Sequence, residues 1–189
     1  MQDLWEEWTS VQLKSLQLSE NKQYSEAVNL IEQFLAGQIS PELRSEAIAF
    51  RALMREEDGD LDAAKEDLLA AHSLSLPGSY PKYCIELTLA RLYESSGEKE
   101  RSAEWHVKAL ETVVDDPMTS GATAILGLLR LKPFGSLNER ELILCERVAR
   151  QAWQLFSLPG EPNIEDLVST ANKLMEAATR PLPRARLDD

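Results

Sequence analysis

The stretch Gly59–Pro77, GDLDAAKEDLLAAHSLSLP, decides the fold class. It opens with a turn dipeptide in which Asp60 is a good N-cap, and it stops at a proline, so it predicts one helix. Two pairs of small residues, Ala63-Ala64 and Ala70-Ala71, stand where a helix usually presents bulky core side chains. Because small side chains let two helix backbones approach closely, the stretch predicts antiparallel helices packed in pairs.

Helical periodicity runs along almost the whole chain, and no segment alternates with the two-residue period of a strand. The pattern predicts an all-α protein of about nine helices joined by short turns. Breaks fall at SENKQ, Gly37, EEDGD, Pro77-Gly78, the Ser96–Glu98 turn, Asp116-Pro117, Lys132-Pro133 and Leu158-Pro159-Gly160. The seventh helix is predicted to begin at Asp116-Pro117, the eighth to be capped by Ser136 or Asn138, and the ninth to run from Asn163 to about Thr179.

The second, fourth and sixth predicted helices share a pattern of small and large residues. Each has a small residue, a larger residue four positions later and a further packing position three beyond that. These are Ala27, Ile31 and Phe34; Ala64, Leu68 and Ala71; and Ser102, His106 and Ala109. The small residues recur after 37 and then 38 positions, which predicts a helical repeat.

This pattern resembles the tetratricopeptide repeat (TPR) family. The match is best at Ala52, Gly59, Ala64, Leu68 and Ala71, and again at Ala90, Tyr93, Gly97, Ser102 and Ala109. The resemblance implies a right-handed α-solenoid of antiparallel helix pairs. The spacing exceeds the family period of about 34 residues, so longer helices or turns are expected.

The same reasoning divides the chain into one TPR-like domain and a tail. The domain is expected over residues 1–179, with the best repeats at about 40–117 and capping helices at about 118–179. The proline-punctuated tail, residues 180–189, is expected to be flexible.

In the TPR family the first helix of each repeat lines a concave groove that binds peptides or partner proteins. By that resemblance the partner-binding residues here are Ala49, Leu53, Glu56, Leu87, Arg91 and Glu94. Family members that grip the C-terminal carboxylate of heat-shock chaperones use a lysine and asparagine set at such positions, and only Arg91 could serve here. We therefore expect a non-catalytic adaptor or scaffold that is not a chaperone-tail receptor.

The net charge of −12 limits the classes of partner. An acidic chain without a basic face is not expected to bind nucleic acid or anionic membranes. It suits a basic protein partner, although acidity also simply keeps a protein soluble. The alternative function is an acidic immunity or antitoxin-type protein that neutralises a basic toxin domain. The oligomeric state is left open.

No residue pattern predicts catalysis, a metal site or a cofactor. The acidic group Glu56, Glu57, Asp58, Asp60 and Asp62 lacks the ligand spacing of a calcium loop, and it fits either a docking patch or a solvated turn. His106 is predicted to be a satisfied core histidine and His72 to be partly exposed.

Cysteines and tryptophans add two smaller expectations. Cys84 and Cys145 are too far apart in sequence for a CxxC site, and the N-terminus lacks the features of a signal peptide, so a cytoplasmic protein is expected. Trp105 and Trp153 are expected in the core, whereas Trp5 and Trp8 are a candidate surface pair.

Overall fold

The computed structural model describes residues 2–116, 119 and 121–155 of the 189-residue chain. The predicted ninth helix and the tail at 180–189 lie outside these residues, as does the side chain of Trp153. Within the described part the chain forms eight α-helices and one 3-10 turn, and no strand. The helices are α1 (Gln2–Glu20), α2 (Tyr24–Leu35), α3 (Pro41–Glu57), α4 (Leu61–Leu74), α5 (Tyr80–Ser95), α6 (Lys99–Val113), α7 (Ala122–Leu131) and α8 (Glu139–Leu155), with the 3-10 turn at Phe134–Ser136.

Consecutive helices pack as antiparallel pairs, and each pair packs against the next one along the chain. The result is an all-α, right-handed, TPR-like solenoid, as the sequence predicts. The described residues form a core of three apolar clusters. One lies among α1, α2 and α3, one among α3 to α6, and one among α5 to α8. None of the helices in the described residues has the length and apolar character needed to cross a lipid bilayer.

The small residues of the repeat pattern are fully buried in the helix stack. Ala27, Ala64 and Ser102 have no exposed surface, and neither have Ala71 and Ala109. A larger side chain at any of these positions would force two backbones apart, which explains the repeated small residues.

In the stretch Gly59–Pro77, only one alanine of each pair is buried. Ala64 and Ala71 are inside, whereas Ala63 is half-buried and Ala70 is exposed. The expectation that both members of each pair occupy the core was wrong. Neighbouring residues point about 100° apart around a helix, so only one of each pair can face the partner.

The extra length of the repeat is shared between helices and linkers. The pair α3–α4 runs from Pro41 to Leu74, and the pair α5–α6 runs from Tyr80 to Val113, so each pair alone already spans about the 34 residues that the family uses for a whole repeat with its linker. The linkers at 36–40 and 75–79 supply the remainder.

The predicted start of the seventh helix was wrong. Asp116 does not begin a helix, because its carboxylate accepts a hydrogen bond from the hydroxyl of Thr119 at 2.6 Å and its backbone N–H donates to Val113 at 2.9 Å. The helix begins only at Ala122, after Gly121, whose backbone takes the left-handed conformation at φ +60°.

Candidate functional site

A groove of about 450 Å³ lies between α1, α3 and α5. We call it the α3–α5 groove, because the inner faces of these two helices form its walls. Its lining includes Trp5 and Gln12 of α1, Glu42, Glu46, Ala49 and Leu53 of α3, Leu76 of the linker, and Pro81, Cys84, Thr88 and Arg91 of α5. Two of the predicted partner-binding residues on α3, Ala49 and Leu53, therefore lie in one groove with Arg91 of α5.

Helical spacing explains why one face of α3 lines the groove. Glu42, Glu46, Ala49, Leu53 and Glu56 follow each other at steps of four and three residues, which places them on one stripe of a helix. The stripe is acidic at its N-terminal end and apolar in its middle. The N-terminus of α3 is set by Ser40, whose hydroxyl accepts from the backbone N–H of Leu43 at 3.3 Å, and by Pro41 in the first turn.

Large apolar side chains line the groove with much of their surface in solvent. Leu53 is 40% exposed, Trp5 is 45% exposed and Leu76 is 57% exposed. Trp8, the other half of the predicted surface pair, is instead buried at 1% exposure and stacks on Phe34. Its indole N–H donates to Oε1 of Glu46 at 2.8 Å. Of the two tryptophans, only Trp5 is therefore available at the surface.

Three of the predicted partner-binding residues form ion pairs between successive inner helices. Arg91 of α5 donates two hydrogen bonds to the carboxylate of Glu56 on α3, one of them at 2.6 Å between Nη2 and Oε2. Arg130 of α7 donates to Glu94 on α5. The hydrogen bonds that Arg91 donates to Glu56 raise the pKa of Arg91. The positive charge of Arg91 is therefore already paired with a carboxylate of the same chain.

Arg130 was missed by sequence reasoning, although a signal for it exists. Glu56 and Glu94 lie 38 positions apart, and Arg91 and Arg130 lie 39 apart, which matches the repeat spacing. Extending the repeat by one more step would have located Arg130. Glu42 and Glu46 could have been found by following the α3 stripe towards its N-terminus, whereas nothing in the sequence marks the linker residue Leu76.

Leu87, the remaining predicted partner-binding residue, lines a second cavity of about 320 Å³ between α5, α6 and α7. Thr88 and Arg91 line both this cavity and the α3–α5 groove. Four of the six predicted residues thus line one or both of two neighbouring hollows, whereas Glu56 and Glu94 line neither and form the ion pairs described above.

His106 lies at the base of the second cavity and is buried at 5% exposure, as predicted. It is not a satisfied core histidine, because neither ring nitrogen has a hydrogen-bond partner within the part of the chain that the structure describes. Its ring occupies the space beside Gly127 of α7. A Cβ atom at position 127 would lie 2.0 Å from the ring carbon Cε1, so only glycine leaves room for the ring. Burial, with the charge of Arg130, lowers the pKa of His106 to about 4, so the ring is neutral at pH 7.

Two members of the acidic group at the α3–α4 turn have structural partners. Asp60 accepts from the backbone N–H of Ala63 at 3.2 Å and so caps α4, and Glu56 pairs with Arg91. Nowhere in the described part of the chain do three or more His, Cys, Asp or Glu side chains come together as a metal site would require. Cys84 and Cys145 are free thiols.

Comparison with known proteins gives the fold. No family model and no curated protein matches the chain. Among solved structures it is similar to BtubC (BKLC) from P. vanneervenii, at 16% identity and a TM-score of 0.56, over 95% of this chain and 84% of that one. It is also similar to the kinesin light chain TPR-like repeats of Podosopora anserina, at 15% identity and a TM-score of 0.55, over 92% of this chain and 97% of that one. Together with the buried small-residue pattern, these likenesses establish a TPR-like helical repeat fold for this chain.

Proposed function

We propose that this chain is a non-catalytic protein-interaction module that binds a segment of a partner protein or peptide in the α3–α5 groove. One observation carries the proposal, namely the partial exposure of Trp5, Leu53 and Leu76 around a single open groove. A ligand that covers these side chains removes apolar surface from water, which contributes about 25 cal/mol for each Å². A groove with exposed apolar anchors between rigid helices is typical of recognition surfaces.

The fold supports the same assignment by analogy. TPR-like solenoids are typically non-catalytic scaffolds that bind other proteins, and they present their inner helices to the partner. Ala49, Leu53 and Arg91 would contact the ligand in the groove. Leu87, Glu56 and Glu94 would shape its continuation towards α7. We propose the cytoplasm as the compartment in which this binding occurs.

The two leucines Leu53 and Leu69 offer a matched test. Leu53 in the groove is 40% exposed, and Leu69 on α4, away from the groove lining, is 41% exposed. Leu53→Gln and Leu69→Gln therefore remove similar apolar surface at similar cost to stability. Each full-length variant and the wild-type chain would be used to select binders from a displayed library of random 12-residue peptides.

We expect the wild-type chain and Leu69→Gln to enrich the same peptides, and Leu53→Gln to lose them by at least tenfold. Equal enrichment by all three proteins would place binding elsewhere on the surface. Failure of the wild-type chain to enrich any peptide would contradict the proposed function. Thermal unfolding of the three proteins controls for a loss of fold.

The immunity-type alternative stays a prediction, and kinetics would separate it from an adaptor. A neutraliser associates quickly and with strong salt dependence, and it dissociates very slowly from one folded partner. An adaptor binds linear segments more loosely.

A further inference from the structure

The charges on the α3–α5 groove are not balanced. Arg91 is its one cation among the described lining residues, and Glu56 already pairs with it in bidentate fashion. Glu42 and Glu46 lie at the other end of the α3 stripe, and within the described chain no lysine or arginine forms an ion pair with either. The groove therefore presents two uncompensated carboxylates at one end and a neutral ion pair at the other.

The carboxylate of Glu46 is held in place for an incoming donor. Trp8 donates to its Oε1 at 2.8 Å, and Gln12 donates to the same oxygen at 3.3 Å. Both bonds fix one oxygen, which leaves Oε2 to accept from a ligand. Glu42, one turn before it, is exposed.

The apolar part of the groove begins close to these carboxylates. Glu46 and Leu53 are seven residues apart on α3, which corresponds to about 10 Å along the helix axis. An extended chain covers that distance in about three residues. Leu76 and Trp5 widen the apolar part on the linker and α1 sides.

Resting on the proposed function, we infer that the partner segment is basic and apolar. Its lysine or arginine contacts Glu46 and Glu42, and a bulky apolar side chain about three residues away covers Leu53 and Leu76. Charge complementarity and the apolar surface select this class of ligand over an acidic segment, which would meet two carboxylates and an arginine that is already paired.

Defined peptides test the charge of the ligand. Three labelled 12-residue peptides would share one sequence with a leucine at its centre. Lysine would stand three and five residues before that leucine in the first peptide, glutamine in the second and glutamate in the third, since an extended chain covers the distance from Leu53 to Glu42 in about five residues. Fluorescence anisotropy would give their affinities for the full-length chain at low and high salt. We expect the lysine peptide to bind roughly tenfold more tightly than the glutamine peptide, and the advantage to shrink with salt.

Two double variants decide whether the groove carboxylates are responsible. Glu42→Gln/Glu46→Gln removes them while keeping the acceptor that Trp8 needs. Glu66→Gln/Glu104→Gln removes the same charge from two exposed positions on α4 and α6 that have no ion pair among the described residues. We expect the first variant to abolish the lysine preference and the second to retain it.

The outcomes separate this inference from the proposed function. A glutamate or glutamine peptide that binds as tightly as the lysine peptide, with loss of binding in Leu53→Gln, would overturn the basic ligand but leave the groove as the binding site. A lysine preference that survives in Glu42→Gln/Glu46→Gln would also overturn the inference. Absence of measurable binding by the lysine peptide would overturn it too. The library selection with Leu53→Gln and Leu69→Gln tests separately whether the groove binds peptides at all.

Discussion

At the residue scale, the turn that joins the two helices of a pair has the same backbone form in the first three pairs, although its residues differ. Lys22, Gly59 and Gly97 lie at its equivalent positions, 37 and 38 residues apart, and all three have positive φ angles of 59°, 86° and 81°. Glycine adopts this left-handed conformation freely, whereas a side chain with a Cβ is strained there. Lys22 is therefore a strained member of the repeat.

We expect Lys22→Gly to raise the free energy of unfolding by about 1 kcal/mol, because it removes the left-handed strain. Conversely, Gly59→Ala should lower it by about 1 kcal/mol through the backbone alone, since an added Cβ there meets no atom within 4 Å. Urea denaturation monitored by circular dichroism measures both changes. An unchanged Lys22→Gly variant would show that the turn relaxes around the lysine.

His106 is the other residue whose environment departs from the repeat. The equivalent positions hold Ile31 and Leu68, which are apolar and buried. The ring of His106 faces the backbone of α7 at Gly127, where helical hydrogen bonds already use the polar groups. Its two nitrogens have no hydrogen-bond partner among the described residues.

We expect stability to fall below pH 6.5 because of His106. Its pKa is about 4 in the folded chain and about 6.5 when unfolded, so between these values the unfolded state binds a proton that the native state does not. The native state thus loses up to about 3 kcal/mol as the pH falls from 6.5 to 4. Denaturant titrations of the wild-type chain and His106→Leu at pH 7 and pH 4.5 measure the effect.

The leucine variant should keep its stability better than the wild-type chain as the pH falls. The Arg130–Glu94 pair beside the ring is retained in both proteins, and so is His72, so their contributions cancel in the comparison. Equal losses of unfolding free energy in the two proteins would show that His106 binds a proton as readily in the folded chain as in the unfolded one.

At the element scale, α8 begins with a reciprocal cap. Asn138 accepts from the backbone N–H of Glu141 through its side-chain oxygen at 3.0 Å, and Glu141 accepts from the backbone N–H of Asn138 at 2.9 Å. This capping box satisfies two backbone donors of the first turn. Glu141 also accepts from Lys132 at the end of the preceding segment, which ties α7 to α8.

Asn138→Ala should lower the free energy of unfolding by about 1 kcal/mol, since it removes the side-chain oxygen that accepts from the backbone N–H of Glu141. Ser136→Ala serves as the control, because its hydroxyl donates only to the carbonyl of Pro133 on the surface. Thermal unfolding of both variants distinguishes the two residues that the sequence offers as the cap. A larger loss in Ser136→Ala would contradict the assignment of Asn138.

At the scale of the whole molecule, each helix pair is stabilised by its neighbours. A solenoid has no central core, and its stability is close to a sum of repeat and interface contributions. One partly buried ion network illustrates the coupling. Asp67 of α4, whose side chain is 6% exposed, binds Arg51 and Arg55 of α3, and both arginines also reach Glu32 of α2.

We expect Asp67→Ala to lower the free energy of unfolding by about 3 kcal/mol, because it leaves two partly buried arginines without their main partner. The neighbouring Glu66→Ala, at an exposed position of the same helix, should change it by less than about 0.5 kcal/mol. Urea denaturation compares the two variants. A small loss in Asp67→Ala would mean that Glu32 can hold both arginines alone.

Much of the fold could be read from local signals. The caps Ser40 and Asp60, the small residues Ala27, Ala64 and Ser102, and the breaks between helices all act over a few residues, so their spacing carries the information. The site was predicted less completely. Ala49, Leu53 and Arg91 were expected from the resemblance to the TPR family, but the ion pairs that occupy Arg91 and Glu94 depend on the distance between successive inner helices, which no local pattern encodes.

The sequence by itself determined the all-α class, the pairing of helices and the stripe of α3 that faces its neighbours, because helix periodicity and close backbone contacts are local properties. Only the tertiary structure decided which of these side chains are exposed and which are buried or paired. Trp8 is buried, Trp5 and Leu76 are exposed, and Glu42 and Glu46 lack a cation among the described residues, because burial and charge balance depend on how far apart α1, α3 and α5 lie.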